Sequence, residues 1–286
     1  MRKVAVLNQK GGVGKTTTAV NLSAALAELG HRVCVVDMDP QAHATLHLGV
    51  TAREDERSLL DVLLGECALA DITHDVRERL ALVRASIDLA AAEAELAGVE
   101  GREAALSTAL DAVESQYDFL FIDCPPSLGV LTINALAAVD EVLIPMQPHF
   151  LALHGLSKLL ETIELAAERL NPKLRLRGVV LCMYDAGTRL AAEVARDVAR
   201  FFDQVQGQPS PWADACAYET RIRRNVRLAE APSFGKSILD YASNSPGAAD
   251  YRQLARDYLD SLTAAPTVAG TIPRRRDGTT ITSLAS

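Results

Sequence analysis

The sequence predicts an α/β fold, in which a mostly parallel, twisted sheet is flanked by helices on both faces. Three short runs, Val4–Leu7, Val33–Val36 and Phe119–Ile122, are apolar throughout, as is typical of strands buried on both faces of a parallel sheet. A loop with three glycines follows the first run and leads into a helical pattern. A strand, a glycine loop and a helix in this order indicate a phosphate-binding turn.

Composition narrows the class of protein. The chain has 286 residues, of which 49% are hydrophobic and 23% charged, as in a soluble globular protein. No apolar run approaches the ~18 residues of a transmembrane helix, and the first strand starts too early to leave room for a signal peptide. Five scattered cysteines fit a reducing compartment, so we expect a cytoplasmic location. Because the net charge is −8, we do not expect the whole surface to bind nucleic acid, but this charge is compatible with a local basic patch.

The glycine loop at Asn8–Gly14 carries the most specific chemistry. Glycines allow backbone N–H groups to converge on an anion. Lys15 adds a positive charge for the β- and γ-phosphates of a nucleotide, and Thr16 offers a hydroxyl to Mg²⁺. The loop departs from the common G-x-x-x-x-G-K-T pattern, because Gln9 occupies the first glycine position and a second lysine, Lys10, follows it.

The resulting sequence, K-G-G-V-G-K-T-T, resembles the deviant Walker A box of the ParA/MinD ATPases, a P-loop family with a nitrogenase-iron-protein-like fold. The resemblance implies ATP and Mg²⁺ as cofactors. It also implies that Lys10 reaches across a dimer interface to the partner subunit's nucleotide, so that Lys10 and Lys15 both act in catalysis. The nucleotide-binding residues of the loop would be Lys10, Gly11, Gly12, Val13, Gly14, Lys15, Thr16 and Thr17.

Acidic residues follow two of the predicted strands. After the second strand, Asp37 and Asp39 stand at i and i+2, where carboxylates can act on a metal or a water. The stretch V-V-D-M-D-P-Q resembles the switch I segment of the same family. By that resemblance Asp39 orients the attacking water close to the metal, and Asp37 supports the magnesium shell or the loop. Asp123, after Phe119–Ile122, fits a Walker B acid that binds Mg²⁺ directly or through water, and the Pro-Pro-Ser after Cys124 resembles switch II.

Periodicity and capping residues predict the remaining elements. Gly30 is a suitable end for the first helix. We expect helices at Thr16–Leu29, Ser58–Leu64, Leu89–Gly98, Glu103–Glu114, Leu153–Leu170 and Tyr251–Leu262. We expect further strands at Leu80–Arg84, Val142–Pro145 and Gly178–Met183.

The segment Glu219–Lys236 is locally basic, with five basic residues against two acidic ones. It resembles the family signature P-R-N-V-R-L-x-E-A-P-S-x-G-K, except that the proline is Arg223. The resemblance places Arg223, Arg224 and Asn225 at the adenine pocket and Arg227 on DNA phosphates. A solvated basic turn is the alternative.

Another basic pattern precedes that segment. Arg189, Arg196 and Arg200 recur at helical spacing, but Glu193 and Asp197 interleave, which favours a solvated helix of mixed charge. We take as candidate DNA contacts Arg227, Arg224, Arg189 and Lys236. Family members usually carry acidic residues near His149 and His154, and the region of Gly187 also departs from the family pattern.

The resemblance covers residues 1–262, which we interpret as one ATPase domain, with 263–286 a disordered tail that carries Arg274–Arg276. It implies a slow, partner-stimulated, Mg-dependent ATP hydrolase. Such an enzyme forms an ATP-dependent homodimer, binds DNA non-specifically and segregates chromosomes or plasmids, or positions cargo, with a ParB-like adaptor. Its ATP-bound form would be nucleoid-associated, with no membrane partner.

Three other functions are weighed against this one. A membrane-surface ATPase of the MinD kind needs a C-terminal amphipathic helix, and the tail has no helical apolar stripe. A nucleotide-driven reductase or iron–sulfur carrier needs a cysteine pair, and the cysteines form no motif. A metabolic kinase or ligase needs a small-substrate site, for which the sequence offers no pattern.

Overall fold

A mostly parallel, mixed sheet runs through the protein, as predicted. The computed structural model describes residues 1–51 and 56–263. Its strands are β1 (Arg2–Val6), β2 (Val33–Asp37), β3 (Thr73–Arg77), β4 (Leu80–Val83), β5 (Phe119–Asp123), β6 (Glu141–Met146), β7 (Arg175–Tyr184), β8 (Cys216–Ala217) and β9 (Ile222–Arg223). The strand order is β3-β4-β2-β5-β1-β6-β7-β8, and β9 also pairs with β7. Within the described residues the β3–β4 pair is antiparallel and the other pairs are parallel.

Helices cover both faces of the sheet. They are α1 (Lys15–Glu28), α2 (His43–His47), α3 (Leu59–Leu63), α4 (Ala92–Glu95), α5 (Ala105–Asp111), α6 (Val130–Ala138), α7 (Ala152–Arg169), α8 (Arg189–Val205), α9 (Val226–Glu230), α10 (Ile238–Tyr241) and α11 (Pro246–Thr263). None of these helices, which all lie in the described part of the chain, combines the length and apolarity needed to cross a membrane.

The strands alternate their side chains between two cores, one on each face. In β5, Phe119 and Phe121 join the core under α1 and α11, whereas Leu120 and Ile122 join the core under α3 to α8. Such strands carry apolar residues on both faces, which explains the uninterrupted runs in the sequence. Tyr258 of α11 packs its ring 5.9 Å from that of Phe121 and thereby fixes α11 to the sheet.

The parallel register aligns the ends of the central strands. Asp37, the last residue of β2, is the register partner of Asp123, the last residue of β5. On the other side of β5, Val6 pairs with Asp123. The carboxyl ends of β1, β2 and β5 therefore meet at one edge of the sheet, directly below the loop that joins β1 to α1.

Two predicted helices are shorter than expected. Leu89–Gly98 was predicted as one helix, but the structure has a 3₁₀ turn at Ile87–Ala91 followed by the single turn of α4. Tertiary contacts override helix propensity here, because the Glu93 carboxylate accepts a hydrogen bond of 3.0 Å from the Val130 N–H at the start of α6. Glu103–Glu114 likewise divides into a 3₁₀ turn at Arg102–Ala104 and α5.

The elements β3 and α6 were not predicted from the sequence, and neither were the short elements α2, β8, β9, α9 and α10. The strand β3 lies at the edge of the sheet and has no apolar run, and the helix α6 follows β5 after a short turn. The disordered tail predicted for 263–286 lies outside the described residues from position 264 onward.

We predict opposite effects for two glycine-to-alanine substitutions. In Gly178→Ala, the new Cβ would lie 2.5 Å from the Cys216 carbonyl oxygen and 2.9 Å from the Tyr218 ring, so the free energy of unfolding should fall by about 1–3 kcal/mol. In Gly155→Ala, within α7, nothing lies within 4 Å of the new Cβ, and the free energy of unfolding should rise by about 0.5–1 kcal/mol. Urea denaturation measures both, and equal effects of the two substitutions would contradict the packing of β7 against β8.

Candidate functional site

The loop between β1 and α1 has the backbone geometry of an anion cradle. Gly12 and Gly14 have φ angles of +73° and +97°, in the left-handed region that favours glycine. Gly14 is also the N-cap of α1, and its carbonyl accepts the Thr18 N–H at 2.9 Å. A helix N-terminus adds the positive end of its dipole to the loop's N–H groups. The loop can therefore hold a negatively charged group such as a phosphate.

Lys15 lies inside this loop rather than in solvent. Its side chain is buried, and Nζ donates to the Lys10 carbonyl at 3.3 Å. Burial lowers the pKa of Lys15, while the nearby carboxylates of Asp123 and Asp39 oppose that shift. The ammonium is thus held between the loop and the acidic edge of the sheet, where it would meet a bound phosphate.

The two buried acids below the loop have different surroundings. Asp37 accepts hydrogen bonds of 2.7 Å from the backbone N–H and the hydroxyl of Thr45, and one of 3.2 Å from the Asp39 N–H. It therefore anchors the loop that carries Asp39. Burial is the main cause that raises the pKa of Asp37 to about 6. Asp123 is fully buried, and neither of its carboxylate oxygens has a hydrogen-bond partner among the described residues.

The unpartnered carboxylate of Asp123 fits a cation. Burial raises the pKa of Asp123 well above its usual value, and the neighbouring Asp37 adds to the rise, while Thr16 and Lys15 lower it. In the described part of the chain no three His, Cys, Asp or Glu residues are grouped as metal ligands. Mg²⁺ suits such a place, because it commonly takes one or two protein ligands together with waters and substrate phosphates. The ligands available are Thr16 and Asp123.

The loop forms one wall of a cavity of about 830 Å³, which is large enough for a nucleotide. Asp39 and Thr16 line it, and so do Arg224 and Asn225 of the basic segment. Arg223 lines it too, but its guanidinium is paired at 2.6 Å with the buried Asp250. The side chain of Arg223 therefore ties the basic segment to α11, while its half-exposed guanidinium still lines the cavity.

Lys10 points out of the loop toward the surface. Its backbone N–H donates to Asn8 Oδ1 at 3.0 Å, and the Asn8 side chain donates to the Pro145 carbonyl at 2.8 Å, so the start of the loop is tied to β6. Lys10 Nζ lies 2.8 Å from Nε2 of His149. Burial and the Lys10 charge lower the pKa of His149, which keeps the imidazole neutral near pH 7. The Lys10 side chain is exposed, whereas Lys15 is buried and lines the cavity.

The basic segment forms the short helix α9 and the turn after it. The Arg227 guanidinium pairs with Glu230 at 2.7 Å, and the same carboxylate accepts the Tyr241 hydroxyl at 3.0 Å. Arg224 and Lys236 are exposed on this segment. Arg189, by contrast, is exposed at the start of α8 and belongs to a different element.

Several residues of the cavity were not identified from the sequence. To these residues the sequence analysis assigned no part in ligand binding, and they include His43, Cys182, Met183 and Tyr251. The pairing of Arg223 with Asp250 was also missed, because the two residues lie 27 positions apart and only the fold brings them together.

Comparison with known proteins identifies similar chains. The family model described as an AAA domain matches residues 1–176. The sporulation initiation inhibitor protein Soj of Bacillus subtilis is 47% identical over 256 residues, which cover 89% of this chain and 96% of Soj. The chromosome-partitioning ATPase Soj of Thermus thermophilus is 47% identical over 259 residues, which cover 91% and 96%.

A solved structure is also similar. The cobyrinic acid a,c-diamide synthase of Mycobacterium smegmatis, with bound ATP analogue and magnesium, has a TM-score of 0.77 and 36% sequence identity. The match covers 96% of this chain and 98% of that one.

The burial of Asp123 predicts that Asp123→Asn stabilises the nucleotide-free protein. Because burial raises the folded-state pKa of this carboxyl above its ordinary value of 3.8, the folded protein loses stability as the pH rises above that value. At pH 8 the neutral amide should therefore raise the free energy of unfolding by about 1–3 kcal/mol, and the gain should shrink at pH 5.5. Urea denaturation at the two pH values measures the difference.

Asp118 provides the matched control for that experiment. It lies one residue before β5, and the hydrogen bond from Arg32 lowers the pKa of its carboxyl. Asp118→Asn should therefore lose stability at pH 8, which is the opposite sign. A gain for Asp123→Asn that is the same at both pH values would contradict the burial of an ionisable, unpartnered carboxyl.

Proposed function

The chain belongs to the ParA/Soj family of partitioning ATPases and is a P-loop ATPase, and we propose that it segregates DNA or positions cargo by ATP-dependent dimerisation and non-specific DNA binding. One observation carries this proposal: a single cavity is lined both by the glycine loop and by the basic segment. The residues that bind the nucleotide and the residues that contact DNA would then belong to the same few segments of the chain.

ATP hydrolysis can be derived from the residues of the cavity. The loop N–H groups and Lys15 bind the phosphates, and Thr16 and Asp123 are placed to hold Mg²⁺, which neutralises phosphate charge when bound. Asp39 orients the attacking water, and Asp37 keeps the Asp39 loop in place through Thr45. The protein forms no covalent bond to the substrate in this scheme, so positioning and charge stabilisation supply most of the acceleration.

Dimerisation would depend on Lys10. Its ammonium is exposed, and within residues 1–51 and 56–263 its side-chain partner is the imidazole of His149. Such a cation is available to a phosphate of a second copy, whereas Lys15 already serves its own cavity. Face-to-face association would also place two basic segments on one assembly, which raises DNA affinity through effective concentration.

DNA binding would use the basic segment. Arg227 is paired with Glu230, but both side chains are exposed, and exposed ion pairs are readily exchanged for other partners. A DNA phosphate can therefore compete for Arg227. The loop after α2 contacts this segment directly, since a Cβ on Gly235 would lie 2.7 Å from the Gly49 Cα. Movement of the Asp39 loop on hydrolysis would thus reach the DNA contacts.

The same proposal implies a partner protein and a cellular location. We expect a ParB-like adaptor to stimulate hydrolysis, and we expect the ATP-bound dimer to lie on the nucleoid in the cytoplasm.

The similarity to a cobyrinic acid a,c-diamide synthase structure makes an ATP-dependent ligase the second candidate. Stimulation of ATP turnover by DNA distinguishes the two, because a ligase for a small substrate has no reason to respond to DNA.

Replacement of Asp39 tests the hydrolysis scheme. In Asp39→Ala, loss of the group that orients water should lower kcat for ATP hydrolysis by about 100-fold or more, while ATP affinity stays within a few fold. Phosphate release and binding of a fluorescent ATP analogue measure the two effects. Asp88→Ala, which removes an exposed carboxylate outside the cavity, should leave both unchanged. Normal turnover by the Asp39 variant would refute the water-orienting role.

Charge reversal at Arg227 tests the DNA contact. Arg227→Glu should weaken duplex DNA binding by at least about tenfold, because it removes a phosphate contact and adds repulsion. ATP-driven dimerisation should be unchanged. The matched control is Arg200→Glu on α8, since Arg200 is similarly exposed and pairs with Asp197 at the same i,i+3 spacing. If the Arg227 variant lost DNA binding and dimerisation together, Arg227 would have a structural role.

A further inference from the structure

An exposed aromatic ring stands on the basic segment. Phe234 is 61% exposed, although a phenylalanine gains most by burial. Its ring stacks on Tyr241 with centroids 4.7 Å apart and planes at 25°. One face of the phenyl ring is thus covered by the protein.

The position of this ring is linked to that of Arg227. The Tyr241 hydroxyl donates to Glu230 at 3.0 Å, and Glu230 pairs with Arg227 at 2.7 Å. Phe234, Tyr241, Glu230 and Arg227 therefore form one connected surface group. A rotatable phenylalanine in a loop would lose side-chain entropy on binding a partner, whereas a stacked one has already lost part of it.

The charge around Phe234 indicates what would cover it. Lys236 follows two residues later, and Arg227 lies on the same surface group, in a segment that carries five basic and two acidic residues in a protein of net charge −8. A polyanion complements such a surface. DNA is a polyanion that also presents flat, apolar base and sugar surfaces between its phosphates, and proteins use apolar side chains against them without reading sequence.

We propose that Phe234 contacts DNA directly and adds an apolar, sequence-independent contact to the phosphate contacts of Arg227 and Lys236. This inference rests on the proposed DNA-binding function and specifies how the same surface recognises DNA. The proposal separates two contributions to the affinity for DNA, one from phosphate contacts and one from an apolar contact. Phosphate contacts displace counterions and depend on salt, whereas an apolar contact contributes equally at every salt concentration.

The test measures DNA affinity against salt for the full chain. Binding of a fluorescent duplex is followed by anisotropy at several KCl concentrations, with Mg²⁺ and a non-hydrolysable ATP analogue present. Phe234→Ala should weaken binding by about tenfold at every salt concentration, with an unchanged slope of log K against log[KCl]. Arg227→Ala should instead reduce the magnitude of that slope by about 0.9 per protomer contact.

Two further variants serve as controls. Phe234→Tyr keeps an aromatic ring and should bind DNA within twofold of the unmodified chain. Leu165→Ala removes a 50% exposed apolar side chain from α7, away from the basic segment, and should change neither affinity nor slope.

Each of the other outcomes overturns the inference, and the first of them also overturns the proposed function. If the unmodified chain does not bind DNA, the proposed function fails, and this inference fails with it. If the unmodified chain binds and Phe234→Ala binds equally well, only the inference is overturned. A changed slope in Phe234→Ala would mean that the ring merely positions Arg227. Loss of ATP-dependent dimerisation in this variant, measured by sedimentation, would mean that the ring packs against a protein. Both results overturn the direct contact.

Discussion

The parallel pairing of β5 with β1 and β2 places two carboxylates side by side in the interior. Asp37 and Asp123 end adjacent strands in the same register, and both are fully buried. Burial of charged groups destabilises a protein unless they are paired or neutralised. Asp37 is supported by Thr45, but Asp123 has no hydrogen-bond partner in the part of the chain that the structure describes. The fold therefore keeps an unsatisfied acid next to Lys15 and Thr16, where a cation and a phosphate would complete it.

That constraint explains the arrangement of the cavity. The loop above the acids must leave room for an anion, and Gly12 and Gly14 meet this need with left-handed backbone angles. The cavity is also lined by the basic segment, which lies more than 200 residues later in the chain than the loop. Pairing of β9 with β7 and of Arg223 with Asp250 of α11 holds this segment in place. A ligand in the cavity would touch both segments. This arrangement allows the state of the nucleotide to affect the basic surface of the same molecule.

The sequence predicted the structure best where a local pattern has a single physical explanation. Runs such as Phe119–Ile122 predicted central strands, because few other environments bury four consecutive side chains on alternating faces. The edge strand β3 was missed, since its residues are only partly buried and form no apolar run. The helix expected at Leu89–Gly98 was too long, because the Glu93 contact with the start of α6 is invisible in a local window.

For the candidate site, the sequence identified the loop and the acids but not their partners. Lys15, Asp39 and Asp123 lie where a phosphate cradle needs them, since motif spacing and strand ends fix their positions together. Thr45, Asp250 and His149 were not assigned their contacts, because each contact depends on a distant segment brought close by the sheet. The pairing of Arg223 with Asp250 likewise depends on the fold, and Arg223 lines the cavity all the same.

The central claim is that nucleotide joins two copies of this chain. Sedimentation velocity of the unmodified protein with Mg²⁺ and a saturating non-hydrolysable ATP analogue tests it most directly, with ADP as the comparison. The account predicts a dimer with the analogue and a monomer with ADP. A protein that binds the analogue tightly but sediments as a monomer would contradict it.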